Sequence, residues 1–449
     1  LKIAFPILRM NWYRVAATTI EAALRAGHEV ECWHFVGGNH YAANRPNAAR
    51  VPAFRHGAPT ILEYCRDAEF LDFICRRRPD AVASVSVPWP GIVGPLSALS
   101  ARPVWATLTT NDTFSFTFDM ETLRLCDVIA LRSAHERECI LRDHTRDVAD
   151  VVRRMAGEPR THGRMFPDLL AKRAARQWTD DMCAHFRARS VVTGYPMLDS
   201  IAGLDRAAIR RKWGIADGRP VVSCLASPYG SVLDADWERA FATTSPLRRR
   251  WWNFRRLGLR GLANPPPNEA EVMSAIADFA RQNGAFNITK MRHSQDASPA
   301  IRAASDLVLG EESYHPHTAI EMSAVSDVVF GFFTTGAPEA VAAGARFIEI
   351  RIPGYNRYVW ECASSQFLRM FDRPGASWSL SAEEWIATAR DKRLADFEPD
   401  ARVRTAYFAD YCGPMDGRHA ERLVRAIERV HEGSLPAEWP VDAGGAMIP

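Results

Sequence analysis

The chain has no Cys-x-x-Cys pair among its 9 cysteines, no stretch near the ~18 consecutive apolar residues of a spanning helix, and no surplus of either charge. Each lack excludes something. Scattered, odd-numbered thiols argue against a disulfide framework and against a thiolate zinc site, and read as reduced, mostly buried side chains. With 56 Lys+Arg against 53 Asp+Glu the formal net charge is +3. The chain as a whole therefore offers no strong field to a polyanion, although a local patch would still act. The opening LKIAFPILRM runs into Asn11 too early for a secretory h-region and reads as a first strand. A soluble, cytoplasmic protein is the expectation.

What the sequence does have is apolar mass and βα alternation. At 449 residues and 47% hydrophobic content it exceeds what one core usually supports, so two domains are expected. A strand at Lys2–Pro6, a helix at Tyr13–Ala26, Gly27 where a left-handed cap is wanted, and the strand in GHEVECWHF form a right-handed βαβ unit. A helix is predicted over Glu63–Arg78, then strands in AVASVSV, Pro103–Leu108 and Asp127–Leu131. Ala134–Arg189 reads as mostly helical. A second α/β unit is expected to begin near Val191, with VVTGYPMLDSI as strand, turn and helix start. A strand at Val221–Leu225, a helix at Ala270–Arg281 and a closing helix at Gly417–Glu432 follow. The expected domains are 1–190 and 191–432, with an insertion near 229–268 and an irregular tail over 433–449.

The most informative stretch, Phe286–Ile352, reads as three short strands with two crossovers. Ligands bind at the carboxyl ends of strands in such sheets. There the stretch places the cations Lys290, Arg292 and His293, the turn Thr334-Thr335-Gly336, and Glu339 on the next helix. Cations and helix N–H groups suit a phosphate, and a carboxylate one turn in suits a ribose hydroxyl. The same residues also fit an ordinary hydroxyl turn capping a helix, with Glu339 merely favouring the dipole. Glu311, Glu312, Ser313, Tyr314, His315 and His317 form a polar cluster, read either as a loop touching nucleobase or sugar or as plain surface. It lacks a third spaced ligand for a metal. In the first half Asp112, within TLTTNDTFSF, is the acidic candidate for a general base and equally a helix N-cap. Arg9, Asn11 and His28 are alternatives, His28 being read as structural. In SPLRRRWWNFRRLGLRGLANPPP, Arg248–Arg260 interleave with Trp251, Trp252, Phe254 and Leu257. This segment reads as an arm packed on the core, as a contact to an anionic membrane surface, or as a stacking platform for nucleic acid. Nucleic acid is not expected.

Four segments together resemble the GT-B superfamily of nucleotide-sugar enzymes. VTGYPMLDSI is similar to the segment that opens the C-terminal half in that group, and GFFTTGAPEAVAAGARFIEIR to the nucleotide-holding segment of UDP-N-acetylglucosamine epimerases. KMRHSQ stands where glycerophosphotransferases and capsule-polysaccharide relatives carry a Lys-Pro-His-Pro-like motif, with both prolines replaced. GPMDGRHAERLVRAI resembles their closing helix. The likeness covers mainly Val191–Glu432. It implies an α/β, GT-B-like fold in which two Rossmann-like doubly wound domains face a central cleft. The C-terminal domain would hold the nucleotide diphosphate of the donor through Lys290, Arg292, His293, Glu312, Ser313, Thr334, Thr335, Gly336 and Glu339. The N-terminal domain would present a glycan or lipid-linked acceptor, with Asp112 as the base. It further implies glycosyl transfer in surface-polysaccharide assembly, with no bound metal and no cofactor beyond the nucleotide-sugar substrate. A sugar-nucleotide epimerase or hydrolase of the same fold and a non-catalytic glycan-binding relative are the alternatives.

Overall fold

A computed structural model describes residues 1–37, 45–108, 120–145, 177–226, 245–257, 259, 262, 267–291, 296–310, 313–332, 334–351 and 369–434. The described strands form two sheets, each entirely parallel. The first contains β1 (Lys2–Ile7), β2 (Glu29–Phe35), β3 (Thr60–Tyr64), β4 (Ala81–Ser84), β5 (Val104–Leu108), β6 (Val128–Leu131) and β7 (Ser190–Val192), in spatial order β3-β2-β1-β4-β5-β6-β7. The second contains β8 (Val221–Leu225), β9 (Phe286–Lys290), β10 (Leu307–Leu309), β11 (Val328–Gly331), β12 (Arg346–Arg351) and β13 (Ser377–Ser381), in order β10-β9-β8-β11-β12-β13.

Both orders are the Rossmann order, running outward from the first strand on one side and from the fourth on the other. Each sheet therefore has one switch point, between β1 and β4 in the first and between β8 and β11 in the second. There the crossovers diverge to opposite faces and leave a crevice at the strands' carboxyl ends. The pairing registers across these points are Ile3↔Ala81 and Val328↔Val222. The inner strands, such as β1, β4, β5, β6, β8 and β11, are short and largely buried on both faces, because helices cover both faces; the edge strands β3, β10 and β13 are only partly buried. On the first sheet, helix Tyr13–Arg25 packs Ala16, Ile20 and Ala23 on one side. Helices Asp67–Arg77 and Asp180–Arg189 pack Phe70, Ile74 and Phe186 on the other. On the second, helix Glu269–Gln282, opened by a capping box between Asn268 and Glu271, packs Val272, Ile276 and Phe279.

Several expectations need correction. Phe286–Ile352 holds four strands, not three: Leu307–Leu309 pairs with β9 and is too short for its periodicity to announce it. Glu63 lies in β3, and the helix expected from it begins only at Asp67, where acidic residues favour the N-terminus. The strand at Val191 belongs to the first sheet, paired to β6 with Ala130↔Val191. Of the segment read as mostly helical, Ala134–Thr145 and Asp180–Arg189 are helices, and 146–176 lies outside the described residues. No described helix is long and apolar enough to cross a membrane.

The chain leaves the first sheet at Thr193-Gly194 and returns beside the same spot at Gly413. Tyr195 N–H donates to the Cys412 carbonyl at 2.9 Å. The last described helix, His419–His431, then packs Leu423 and Ile427 into the first sheet's core. Asp199 holds that helix by its start, accepting the backbone N–H groups of His419 and Ala420 at 3.1 and 2.8 Å. The two passages touch through glycine. Gly413 has φ +84°, and a Cβ there would sit 2.6 Å from Gly194 Cα and 2.8 Å from the Arg132 carbonyl oxygen. Neither is the end of a flexible side chain that can step aside. Gly413→Ala is expected to lower stability by about 2–3 kcal/mol, from left-handed strain and backbone overlap together. Gly27, also at positive φ but with nothing within 4 Å, isolates the conformational part. Gly27→Ala is expected to cost only about 1 kcal/mol. Urea midpoints of the two variants check the difference.

Candidate functional site

The two switch points meet. Arg14 lies in the first turn of the helix after β1, and Glu339 in the first turn of helix Ala337–Ala342 after β11. Separated by 325 positions in sequence, they form an ion pair in which Arg14 Nη2 donates to Glu339 Oε1. The Glu339 side chain is 1% exposed.

Three further groups gather at the strand ends. Lys290, the last residue of β9, is buried, and its Nζ donates to the Met291 carbonyl at 3.2 Å. Arg132, just past β6, is fixed by Glu136 through Nε and Nη2 at 2.9 and 2.7 Å, both side chains being 3% exposed. Tyr195, after the crossing, lies under the Arg132 guanidinium, 5.6 Å from ring centroid to Cζ. Burial pushes the Glu339 carboxyl above its ordinary range, and Arg14, Lys290 and Arg132 pull it back down. Burial likewise pushes the Tyr195 phenol up, against the same two arginines. Arg14, Arg132 and Lys290 against Glu136 and Glu339 leave one positive charge in excess. The cluster as named thus offers an anion a desolvated, positive wall.

The sequence candidates fall into three groups. Lys290 and Glu339 come together in this cluster. Glu339 does so with one oxygen committed to Arg14, while Oε2 has no hydrogen-bond partner among the described residues. Thr334, Thr335 and Gly336 form the turn that leads into the Glu339 helix. Thr334 Oγ1 accepts the Gly336 N–H at 3.1 Å, the Thr334 carbonyl accepts the Ala337 N–H at 3.2 Å, and Pro338 has no N–H. The Gly336 and Ala337 amides are therefore used within the turn, and Pro338 offers none. Ser313 lies in a turn whose next residue docks on the first half: Tyr314 packs into the first core, and its hydroxyl accepts from Arg50 Nη2 at 2.8 Å. Arg292, His293, Glu312 and the proposed base Asp112 lie outside the described residues. So does the chain's one Asp-x-Asp, Asp234-Ala235-Asp236. No group of three metal-ligating side chains occurs among the described residues.

Arg14, Arg132 and Tyr195 were not foreseen as site residues. The signal for Arg132 was present: it directly follows the apolar run VIAL, at a strand's carboxyl end. Arg14 follows the first strand within one short loop, where Arg9 and Asn11 drew the attention instead. His28 is structural as expected, bonded through Nε2 to Glu428 Oε1 at 2.8 Å.

Two parallel Rossmann-ordered sheets with their switch points opposed are the arrangement of one known architecture. The fold is GT-B-like. No sequence family matches the chain, and no curated protein matches it by sequence. Among solved structures, the chain is similar to a variant of the wall teichoic acid polymerase TagF, at TM-score 0.55 and 10% identity over 97% of this chain and 89% of the other. It is similar to a UDP-N-acetylglucosamine 2-epimerase of Listeria monocytogenes at TM-score 0.51 and 13% identity, over 97% and 98%. It is also similar to the 2-epimerase of Neisseria meningitidis bound to UDP-GlcNAc, at TM-score 0.52 and 10% identity over 96% and 100%. At these identities the GT-B-like fold is what is shared.

The Glu339 shift has a signed consequence. With its folded-state pKa above the unfolded value of 4.5, native Glu339 keeps a proton that the unfolded chain has released. Its contribution to stability is greatest below that unfolded value and is lost as pH rises through the folded one. The stability of wild type minus that of Glu339→Gln, from urea melts across this range, is expected to fall as pH rises. Arg14→Met should push the carboxyl higher and destabilise by about 3 kcal/mol, the low end for a broken buried pair because Lys290 and Arg132 remain. A pH-independent difference between wild type and Glu339→Gln would show that the carboxyl does not titrate this way.

Proposed function

We propose that the chain is a transferase moving a sugar, or a related group, from a nucleotide-diphosphate donor to a surface-polysaccharide or lipid-linked acceptor. The observation that carries this reading is the convergence of Lys290, Arg132 and the Arg14–Glu339 pair at the carboxyl ends of the two sheets' strands. A departing diphosphate needs stabilisation that strengthens as charge develops on it, and buried cations held by their own partners supply this without reorganising. Lys290 would contact the diphosphate. Glu339 Oε2, directed into a buried site without a partner among the described residues, would accept a hydroxyl of the ribose or sugar. Thr335, beside the turn's internally bonded Thr334, would add a second polar contact. The first half would bring the acceptor, with Asp112 proposed as the group that takes its proton. The UDP co-structure of one fold neighbour, S. aureus MnaA, supports a nucleotide as ligand of this architecture.

The second reading, an epimerase or hydrolase, draws on the raised pKa of Glu339. A buried carboxyl whose pKa is raised by burial, with the neighbouring cations opposing the shift, is suited to acid–base work on a sugar nucleotide with no separate acceptor. Incubation with a nucleotide sugar alone separates the two, because only the epimerase or hydrolase turns over.

Calorimetry against UDP, CDP, GDP and ADP should reveal one preferred nucleoside diphosphate. Lys290→Met is expected to weaken it by about 10- to 100-fold, the worth of one charge-assisted hydrogen bond. Absence of binding to all four would overturn the transferase and epimerase readings together and favour a non-catalytic relative. Metal is expected to be dispensable, with the cations of the cluster opposing the diphosphate charge. Activity in EDTA should equal that in magnesium or manganese. Loss in EDTA with recovery on adding either ion would refute this and direct attention to Asp234 and Asp236.

A further inference from the structure

Six large apolar side chains are exposed among the described residues, and five of them fall in one segment: Leu247 at 78%, Trp251 at 58%, Phe254 at 44%, Leu259 at 77% and Leu262 at 41%. The segment begins as a helix, Pro246–Leu257, in which Leu247, Trp251 and Phe254 are spaced i, i+4, i+7 and so share one face. An apolar stripe on a helix normally faces a core, and this one faces solvent. The same segment is strongly basic. Arg248, Arg249, Arg250, Arg255, Arg256 and Arg260 fall between Ser245 and Asn268 with no acidic residue among them, in a chain whose net charge is only +3. Arg248 and Arg250 are exposed.

We propose that this helix is an interfacial anchor that lays its Leu247–Trp251–Phe254 face into an anionic lipid surface while the arginines engage the headgroups. The charge chooses among occupants. A second copy of the chain would bring the same arginines against these, and like charges across a symmetric contact oppose association. A nucleic acid would satisfy the arginines and could stack on Trp251 and Phe254, but it gives exposed leucines nothing. An anionic bilayer accommodates all three at once: leucine in the acyl boundary, tryptophan at the interface, arginine at the phosphates. The position in the fold agrees. The segment stands between β8 and helix Glu269–Gln282, so it leaves the second sheet from a strand's carboxyl end, the end that carries Lys290 and Glu339. A lipid-linked acceptor would then be met on the site's own side. The anchor does not depend on the transferase reading, since it rests on the segment's own composition and exposure.

The test is co-sedimentation of the full chain with vesicles of phosphatidylcholine alone and of phosphatidylcholine mixed with phosphatidylglycerol, at low and physiological salt. The expected result is selective binding to the anionic vesicles, weakened by salt. Replacing Arg248 and Arg250 by Gln should weaken partitioning roughly fivefold for each arginine removed. Leu247→Glu with Trp251→Glu should abolish binding at both salt levels, and unchanged thermal melting would show that both variants remain folded. Wild-type protein that ignores anionic vesicles at low salt overturns the proposal. So does vesicle binding that survives the Leu247→Glu and Trp251→Glu changes while an oligonucleotide competes it away, which would mark a polyanion site. A concentration-dependent mass that those two changes remove would mark a self-association surface and overturn it equally.

Discussion

The ion pair between Arg14 and Glu339 is the constraint on which the rest of the site depends. Glu339 has almost no access to water, so its charge is tolerable only against a nearby cation. That cation comes from the other sheet's first crossover. The pair therefore ties the carboxyl ends of β1 and β11 to one another, and with them the two crevices. Arg132 and Lys290 share the same space, each held by a partner of its own: Glu136 for the first, the Met291 carbonyl for the second. The positive character of the cleft is thus a property of several fixed groups rather than of one mobile side chain.

Much of the architecture was legible because βα alternation is written in local pattern. Apolar runs of four to six residues separated by amphipathic helices report a parallel sheet before any contact is known. The elements that escaped are those too short to carry a period. Leu307–Leu309 has three residues and exists because β9 offers it a ladder; the strand at Val191 was read as a strand, but nothing local says that it pairs with β6 and so closes the first sheet. The boundary at Glu63 was misplaced for a related reason: TILEY has both a helical and an extended reading, and pairing with β2 decides it.

The candidate site was half legible. Lys290 and Glu339 stand out because strand ends in such sheets are where chemistry gathers. Their first-half partners could not be inferred, since no local signal links positions 325 apart. The hydroxyl turn shows the converse. Thr334-Thr335-Gly336 has two readings, a phosphate cradle and a hydroxyl turn capping a helix, and Thr334 closes the turn through the Gly336 and Ala337 amides. A local motif states which bonds are available. Whether the chain uses them for itself depends on the backbone it adopts.

The glycine contact at the crossing has a mechanical meaning. The two halves are joined by two passages of chain, one at Gly194 and one at Gly413, packed backbone to backbone with no side chain between them. Two covalent tethers side by side resist separation and sliding, yet leave a swing about the short line they define. The helix His419–His431, anchored by Asp199 and sunk in the first core, travels with the first half in any such swing. The Arg14–Glu339 pair stands close to that line: Tyr195, next to Gly194, shares a hydrogen bond with Arg14, and Cys412, next to Gly413, reaches the Pro338 carbonyl at 3.8 Å. A swing about the glycines would therefore move the outer strands most and leave that charge pair nearly in place.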